Sequence, residues 1–219
     1  MSRRLLLAGV LALATIDPVV IEDWRGSPVG TTGVPPGWRT YGRGASVQHP
    51  PVIVHHDGRV ALRLKTDRNS IRLARGVTVD LTRTPVLEWE WNVTTLPRHG
   101  DVRSRVNDQA ARVMIMFGAR LRPNILGYVW DTRAPAGTEI RTQGYVDRWL
   151  IVERSGGDGV GSWRREARNV VQDYLRLFGA HPPAVRAVSL ESHSEDADHA
   201  SEAMFGRVRF SPAGTRPDG

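Results

Sequence analysis

Val86-Leu87-Glu88-Trp89-Glu90-Trp91-Asn92-Val93 is the run that decides the fold class. Leu87, Trp89, Trp91 and Val93 alternate with Glu88, Glu90 and Asn92, and side chains two apart on an extended chain share a face. One face is bulky and apolar and the other acidic, which describes a half-buried strand with a second layer packed on its tryptophans. Residues 112–117 differ: Val113, Met114, Ile115, Met116 and Phe117 leave neither face polar, as expected of a central strand covered on both sides.

Working outward, 52–55 and 60–64 flank Asp57-Gly58, a turn dipeptide that tolerates positive φ, and read as a hairpin with Val60, Leu62 and Leu64 facing one way. Further strands are expected at 71–73, 77–81, 125–130, 149–153, 185–190 and 205–210. Val170, Val171, Tyr174, Leu177 and Phe178 fall on one helical face, with Asn169, Gln172, Asp173 and Arg176 on the other and Gly179 where a C-terminal cap belongs. Residues 17–50, rich in glycine and proline and carrying Trp24 and Trp38, read as an ordered wrapping segment. The pattern predicts a mainly β protein, an antiparallel, jelly-roll-like β-sandwich with one amphipathic helix.

Composition agrees. The chain has 219 residues, 22 glycines and 14 prolines, which suits one sandwich with many turns. Its net charge of +7 is spread among acidic residues, and Lys65 is the only lysine among the cations, so no basic run marks a nucleic-acid binder. The absence of cysteine excludes disulfides, thiolate metal sites and cysteine nucleophiles.

Arg3-Arg4, an apolar stretch from Leu5 to Ala14, and Ala12-Leu13-Ala14 form the three regions of a signal peptide, so residues 1–14 are read as a leader and the mature chain as starting near Thr15. The apolar run is too short to span a bilayer. The arginine pair followed by leucines also resembles a twin-arginine signal. The expected organisation is a leader, one sandwich domain over 15–211 and a disordered tail over 212–219, in a periplasmic or secreted protein.

Several clusters invite chemistry. Glu88 and Glu90 share a strand face, the arrangement that paired-carboxylate glycoside hydrolysis needs, although a solvated strand face is the plainer reading. Asn107-Asp108-Gln109-Ala110-Ala111-Arg112 puts polar groups at the mouth of the apolar strand. Arg112 there needs a partner, which Asp108 or a late acidic residue would supply as a structural ion pair or as part of a ligand pocket. The loop from Ser192 to His199 gathers carboxylates and imidazoles. Glu195, Asp196 and Asp198 are its candidate metal ligands, with calcium the ion their oxygens suit, against a plain polar loop. Gly156 to Ser162 is glycine-rich but lacks the spacing and lysine of a phosphate loop. No G-x-S-x-G elbow supports serine hydrolysis. Tyr128, Trp130, Trp149 and Trp163 sit near strand ends, where flat rings either stack on sugars or fill the core.

The order of these segments resembles the bacterial family called domain of unknown function 3047. The resemblance runs from about Trp24 to Phe210. It is carried by Pro36-Gly37-Trp38, Leu87-x-Trp89-x-Trp91, Asn107-Asp108-x-Ala110-Ala111-Arg112-Val113, Tyr128-Val129-Trp130, and Trp163-x-x-Glu166-x-Arg168 leading to Asp173-Tyr174 and Phe178-Gly179. It implies an exported β-sandwich and names no reaction. Two departures stand out: Asn107-Asp108 where the family usually has paired aspartates, and an altered form, within 193–198, of its late Asp-x-Asp-Asn-Thr-like loop.

The functional expectation is a non-catalytic module for a carbohydrate or envelope glycan, with Asp108, Arg112, Tyr128, Trp130 and Trp163 as ligand-binding candidates. The alternatives are a glycan hydrolase or lyase using paired carboxylates, which requires Glu88 and Glu90 in a cleft, and a structural or partner-binding envelope protein, which requires a contiguous apolar patch.

Overall fold

The computed structural model describes residues 16–41, 49–142, 146–197 and 199–214; the leader and the end of the tail from 215 lie outside these. Two sheets face each other. Sheet A contains β1 (Val19–Glu22), β3 (Val52–His56), β4 (Arg59–Thr66), β6 (Val86–Thr95), β11 (Arg164–Asn169) and β13 (Ser201–Ser211), and sheet B contains β2 (Trp38–Thr40), β5 (Ser70–Gly76), β7 (Ala111–Phe117), β8 (Asn124–Asp131), β9 (Glu139–Thr142), β10 (Asp147–Ser155) and β12 (Val185–His193). The strand orders are β11-β6-β13-β4-β3, with β1 on β13, and β2-β5-β12-β7-β8-β10-β9. The pairings are antiparallel except that β8 and β10 run parallel. The expected sandwich is therefore the observed one, with a single parallel seam the sequence pattern did not show.

The hairpin of β3 and β4 turns on Asp57 and Gly58, both at positive φ (47° and 77°). Between the sheets, Trp89 of β6 stacks on Tyr128 of β8 at 5.0 Å and meets Trp91 edge-on at 5.3 Å, while Trp91 lies 5.9 Å from Trp130. Each such ring buries enough surface to be worth roughly 4–6 kcal/mol of transfer free energy before entropy is counted. The wrapping segment closes one edge: Trp24 stacks on Trp38 at 5.7 Å and its Nε1 donates to the Gly206 carbonyl at 2.9 Å.

β7 is covered on both faces, as its composition predicts. Val113, Ile115 and Phe117 enter the main core, and Met114 joins a second cluster with Val102, Ile125, Val129, Ala134, Leu150 and Val152 on the outer face of sheet B, Met116 packing at its margin. Asp131 holds the covering loops, its buried carboxylate accepting from the backbone of Val102 (2.9 Å), Arg133 (2.8 Å) and Ala134 (2.7 Å) and from the Gln109 amide (3.0 Å). Gly100 is needed there, because a Cβ would meet the Asp108 carbonyl oxygen at 2.2 Å.

The helix α1 (Val170–Phe178) carries the expected caps, Asn169 accepting from the Gln172 amide and Gly179 at φ 73°. Tyr174 packs edge-on against Phe117 at 4.8 Å. Asp173, on the polar side of the helical pattern, is nonetheless buried, since it accepts from Tyr128 Oη (3.0 Å), twice from Arg168 (2.9 and 2.7 Å) and from Arg176 (2.8 Å).

Other expectations need correction. Residues 77–81 are not a strand, because the Asp80 carboxylate accepts from the backbone and hydroxyl of Thr82 and closes a turn. The glycine-rich 156–162 leads into β11, a strand the sequence pattern did not show. β11 escaped notice because its sequence, Arg-Arg-Glu-Ala-Arg-Asn, has no apolar face; ladder bonds to β6 and ion pairs hold it. The acidic face of β6 is not solvated either. Glu88 pairs with Arg209 (2.9 Å) and Glu90 with Arg165 (3.2 Å), both across adjacent strands, and no cavity opens beside them.

Next to this network, Glu153 of β10 lies 3.5 Å from Arg168. Burial pushes its carboxyl up to about 7, Glu166 and Asp173 adding to the rise against Arg168. A carboxyl that titrates near 4.5 when unfolded and higher when folded stabilises least when ionised, so this group lowers stability as pH rises from about 4.5 to about 7. Glu153→Gln is therefore expected to stabilise the chain by about 2 kcal/mol at pH 8 and to change nothing at pH 4, as read by urea denaturation at both values.

Candidate functional site

Strand periodicity sends every second residue of sheet B away from the core. On β5, β12, β7, β8 and β10 these include Arg72, Glu191 and His193, Arg112 and Met114, Ile125, and Arg148, and together they floor a cavity of about 340 Å³. Tyr41, just after β2, and Asn107, Asp108, Glu195 and Asp196 form its rim. Strand register makes Glu191 the neighbour of Arg72 on one side and of Arg112 on the other, giving a cross-strand row of cation, anion and cation.

Glu191 is the hub. Its carboxylate accepts from Tyr41 Oη, from Ser189 Oγ at 2.8 Å and from His193 Nε2 at 2.9 Å, with Arg72 Nε at 3.9 Å. Burial alone would raise its pKa, but the His193 hydrogen bond, Arg112 and the Tyr41 hydroxyl together hold it below the usual carboxylate range. The His193 imidazole is brought down to about 4, first by burial and then by Arg112, and is neutral at pH 7. Burial and the Glu191 charge lift the Tyr41 phenol well above its ordinary value.

Arg112 is 3% exposed. Its Nη2 donates to the Asn107 carbonyl at 2.6 Å, and its Nε finds no hydrogen-bond partner among the described residues. Burial lowers the guanidinium to about 10, so it stays a cation. Arg148 also has a buried Nε without a partner among the described residues. Arg72 has its partners, donating to Glu195 at 2.8 Å. The site thus offers fixed donors, the ionised carboxylates of Glu191 and Glu195, an amide and a neutral imidazole, a surface suited to hydroxyl-rich or charged small groups.

A family model described as "Protein of unknown function (DUF3047)" matches residues 47–209. The chain belongs to this family. No curated protein matches the DUF3047 chain in sequence. Among solved structures, a metagenome-derived glycoside hydrolase family 12 endoglucanase superposes with a TM-score of 0.50 at 10% identity, covering 84% of this chain and 96% of that one. Endoglucanase Cel12A from Rhodothermus marinus gives 0.49 at 10% identity, covering 84% and 100%. The family 11 carbohydrate-binding module of a Clostridium thermocellum cellulosomal cellulase gives 0.48 at 8% identity, covering 94% and 100%. At such identities the likeness concerns the fold.

The motif pieces of the DUF3047 chain play separate parts. Asp108 lies at the cavity rim but does not pair with Arg112: its carboxylate accepts from the backbone N–H of Glu195 (3.1 Å), Asp196 (2.7 Å) and Ala197 (2.7 Å) and pins that loop, while burial raises its pKa. Arg112 faces the cavity. Tyr128 and Trp130 do not, being fully buried between the sheets, where their aromatic bulk is worth more to the core than to a ligand. Trp163 belongs to the sheet A side, its Nε1 donating to the His56 carbonyl at 3.2 Å and its ring lying 5.2 Å from the Arg59 guanidinium.

For the metal candidates, Glu195 is engaged by Arg72 and Ser70, Asp196 stands exposed at the rim, and Asp198 lies outside the described residues. No group of three or more metal-ligating side chains occurs among the described residues. Tyr41, Arg72, Arg148 and Glu191 went unnoticed in the sequence. The available signal was charge inside apolar strands, Arg72 between Ile71 and Leu73 and Glu191 directly after Leu190.

Proposed function

We propose that this chain is an exported, non-catalytic binding protein that takes a carbohydrate, such as a cell-envelope glycan, on the open face of sheet B. The single supporting observation is the polar cavity of about 340 Å³, whose floor of donors and acceptors is held in place by strand register. Sugar hydroxyls are both donors and acceptors, and Glu191, Asn107, His193 and the guanidinium groups complement both roles. The sandwich adds an architectural precedent only: lectins use it, and the metagenome-derived neighbour is an endoglucanase.

Binding is favoured over hydrolysis by the condition of the carboxylates. Glycoside hydrolysis needs a carboxylic acid able to give up a proton, opposite a second carboxylate. Glu191 is held ionised, Glu195 is paired with Arg72, and the Asp108 oxygens are bound by backbone donors. Glu88 and Glu90 pair with arginines on the opposite side of the sandwich, in no cleft. A partner-binding role would need one contiguous apolar patch, and the exposed large apolar residues are Ile16, Val20, Val29 and Val34 along the N-terminal segment, Leu121 between β7 and β8, and Leu175 on α1.

A polysaccharide array followed by calorimetric titration of the mature chain tests the proposal. Micromolar binding to at least one polysaccharide without release of reducing ends is expected, and the absence of all binding overturns it. N-terminal sequencing of the exported chain, expected to start near Thr15, tests export.

A further inference from the structure

Resting on that carbohydrate-binding proposal, we infer that the ligand is an anionic glycan, a polysaccharide whose carboxylates or sulfate esters are read by arginines along the outer face of sheet B. A buried cation left without a counter-charge is costly, and such groups in proteins are paired or await a ligand. Arg112 is answered only in part: Glu191 sets a negative charge beside it in strand register but is shared with Arg72, while Arg112 itself is 3% exposed, its Nε has no partner among the described residues, and its Nη2 donates to the carbonyl and side-chain oxygen of Asn107, at 2.6 and 3.5 Å. Arg148 lines the same cavity, its own buried Nε without a partner among the described residues, and Met114 and Ile125 share the floor with these two cations.

The acids of the cavity make their hydrogen bonds elsewhere than to Arg112. Glu191 is engaged by Tyr41, Ser189 and His193, Glu195 by Arg72 and Ser70, and Asp108 by three backbone N–H groups. Asp196 is exposed at the rim.

A second cavity of about 160 Å³ adjoins the first on this face, and Tyr41 lines both. Arg39, Arg120 and Arg186 line it, all exposed, and none makes an ion pair with a described carboxylate. Unpaired guanidinium groups thus continue from one cavity into the next, as repeated charges along a chain would require. Neutral polysaccharides are usually held by flat aromatic platforms. Here Tyr41 is the one phenol or indole among the described residues lining either cavity, and its hydroxyl is committed to Glu191. Guanidinium forks suit the two oxygens of a uronate carboxylate or sulfate ester better than they suit isolated hydroxyls.

The test is titration calorimetry of the mature chain with polygalacturonate, a sulfated glycosaminoglycan, a neutral β-glucan and single-stranded DNA. Polygalacturonate or the sulfated chain is expected to bind at least tenfold more tightly than the β-glucan, and which of the two is preferred identifies the acidic group. Arg148→Gln is expected to weaken that binding at least tenfold. Because Arg112 is buried, the companion variant is Arg39→Gln/Arg120→Gln/Arg186→Gln at exposed positions, expected to fold normally and to weaken polygalacturonate more than a digalacturonate that fills one cavity. Equal affinity for the β-glucan overturns the anionic ligand but leaves carbohydrate binding standing. DNA binding as tight as that of the acidic polysaccharides overturns it too, since charge alone would then explain attraction. Silence with every polysaccharide sinks both proposals.

Discussion

Replacing Glu191 with alanine is expected to lower folding stability by about 3–5 kcal/mol, the usual cost of removing one member of a buried charged group. The side chain is 3% exposed and sits between Arg72 and Arg112 in strand register, so its loss leaves Arg112 in the protein interior with no anion beside it. It also strands the hydroxyls of Tyr41 and Ser189 and the His193 ring, which bond to its carboxylate. Thermal denaturation should show a fall in Tm of roughly 10 °C for a chain of this size. Glu191→Gln keeps an acceptor in place and is expected to cost only about 1–3 kcal/mol. An alanine variant as stable as its parent would show that the row of charges contributes nothing to folding.

The same group sets a pH trend. Glu191 titrates lower in the fold than its ordinary 4.5, so its contribution is present above that pH and is lost as pH falls below it. His193, lowered from 6.5 to about 4, acts in the same direction over a higher window, stabilising the fold above about pH 6.5 and losing that effect as the pH falls toward 4.

Asp108→Ala should be the second large effect, about 3 kcal/mol, because three backbone donors of residues 195–197 lose their acceptor together. Asp108→Asn should do little better, since an amide presents a donor where one oxygen now accepts. Both variants should also weaken polysaccharide binding, as Glu195 and Asp196 at the rim depend on that loop. Hydrogen exchange at the amides of Glu195, Asp196 and Ala197 is the direct check. Unchanged protection there would refute the assignment of Asp108 as the anchor of the loop.

Much of the sandwich was legible because burial imposes a period of two on a strand. Leu87, Trp89 and Trp91 had to face a second layer, and Val113 to Phe117 had to be covered on both sides. The polar elements were not legible in this way. β11 has no apolar face to reveal it, and Glu88 and Glu90 look solvated until Arg209 and Arg165 arrive from neighbouring strands. Of the site, Asp108 and Arg112 stood out as charges beside an apolar run, whereas Arg72, Arg148 and Glu191 are single charges within otherwise unremarkable strands.

The sequence by itself determined two layers of strands, one capped helix and the absence of thiol chemistry, since hydrophobic alternation, turn residues and composition act locally along the chain. Only the tertiary structure decided that Trp24, Trp38, Trp89, Trp91 and Trp130 fill the core, that Asp108 holds the loop of residues 195–197, and that residues as distant as Arg72, Arg112, Arg148 and Glu191 share one cavity. The physical reason is register: which charges become neighbours depends on how strands align across the sheet, and that alignment joins segments far apart in the chain.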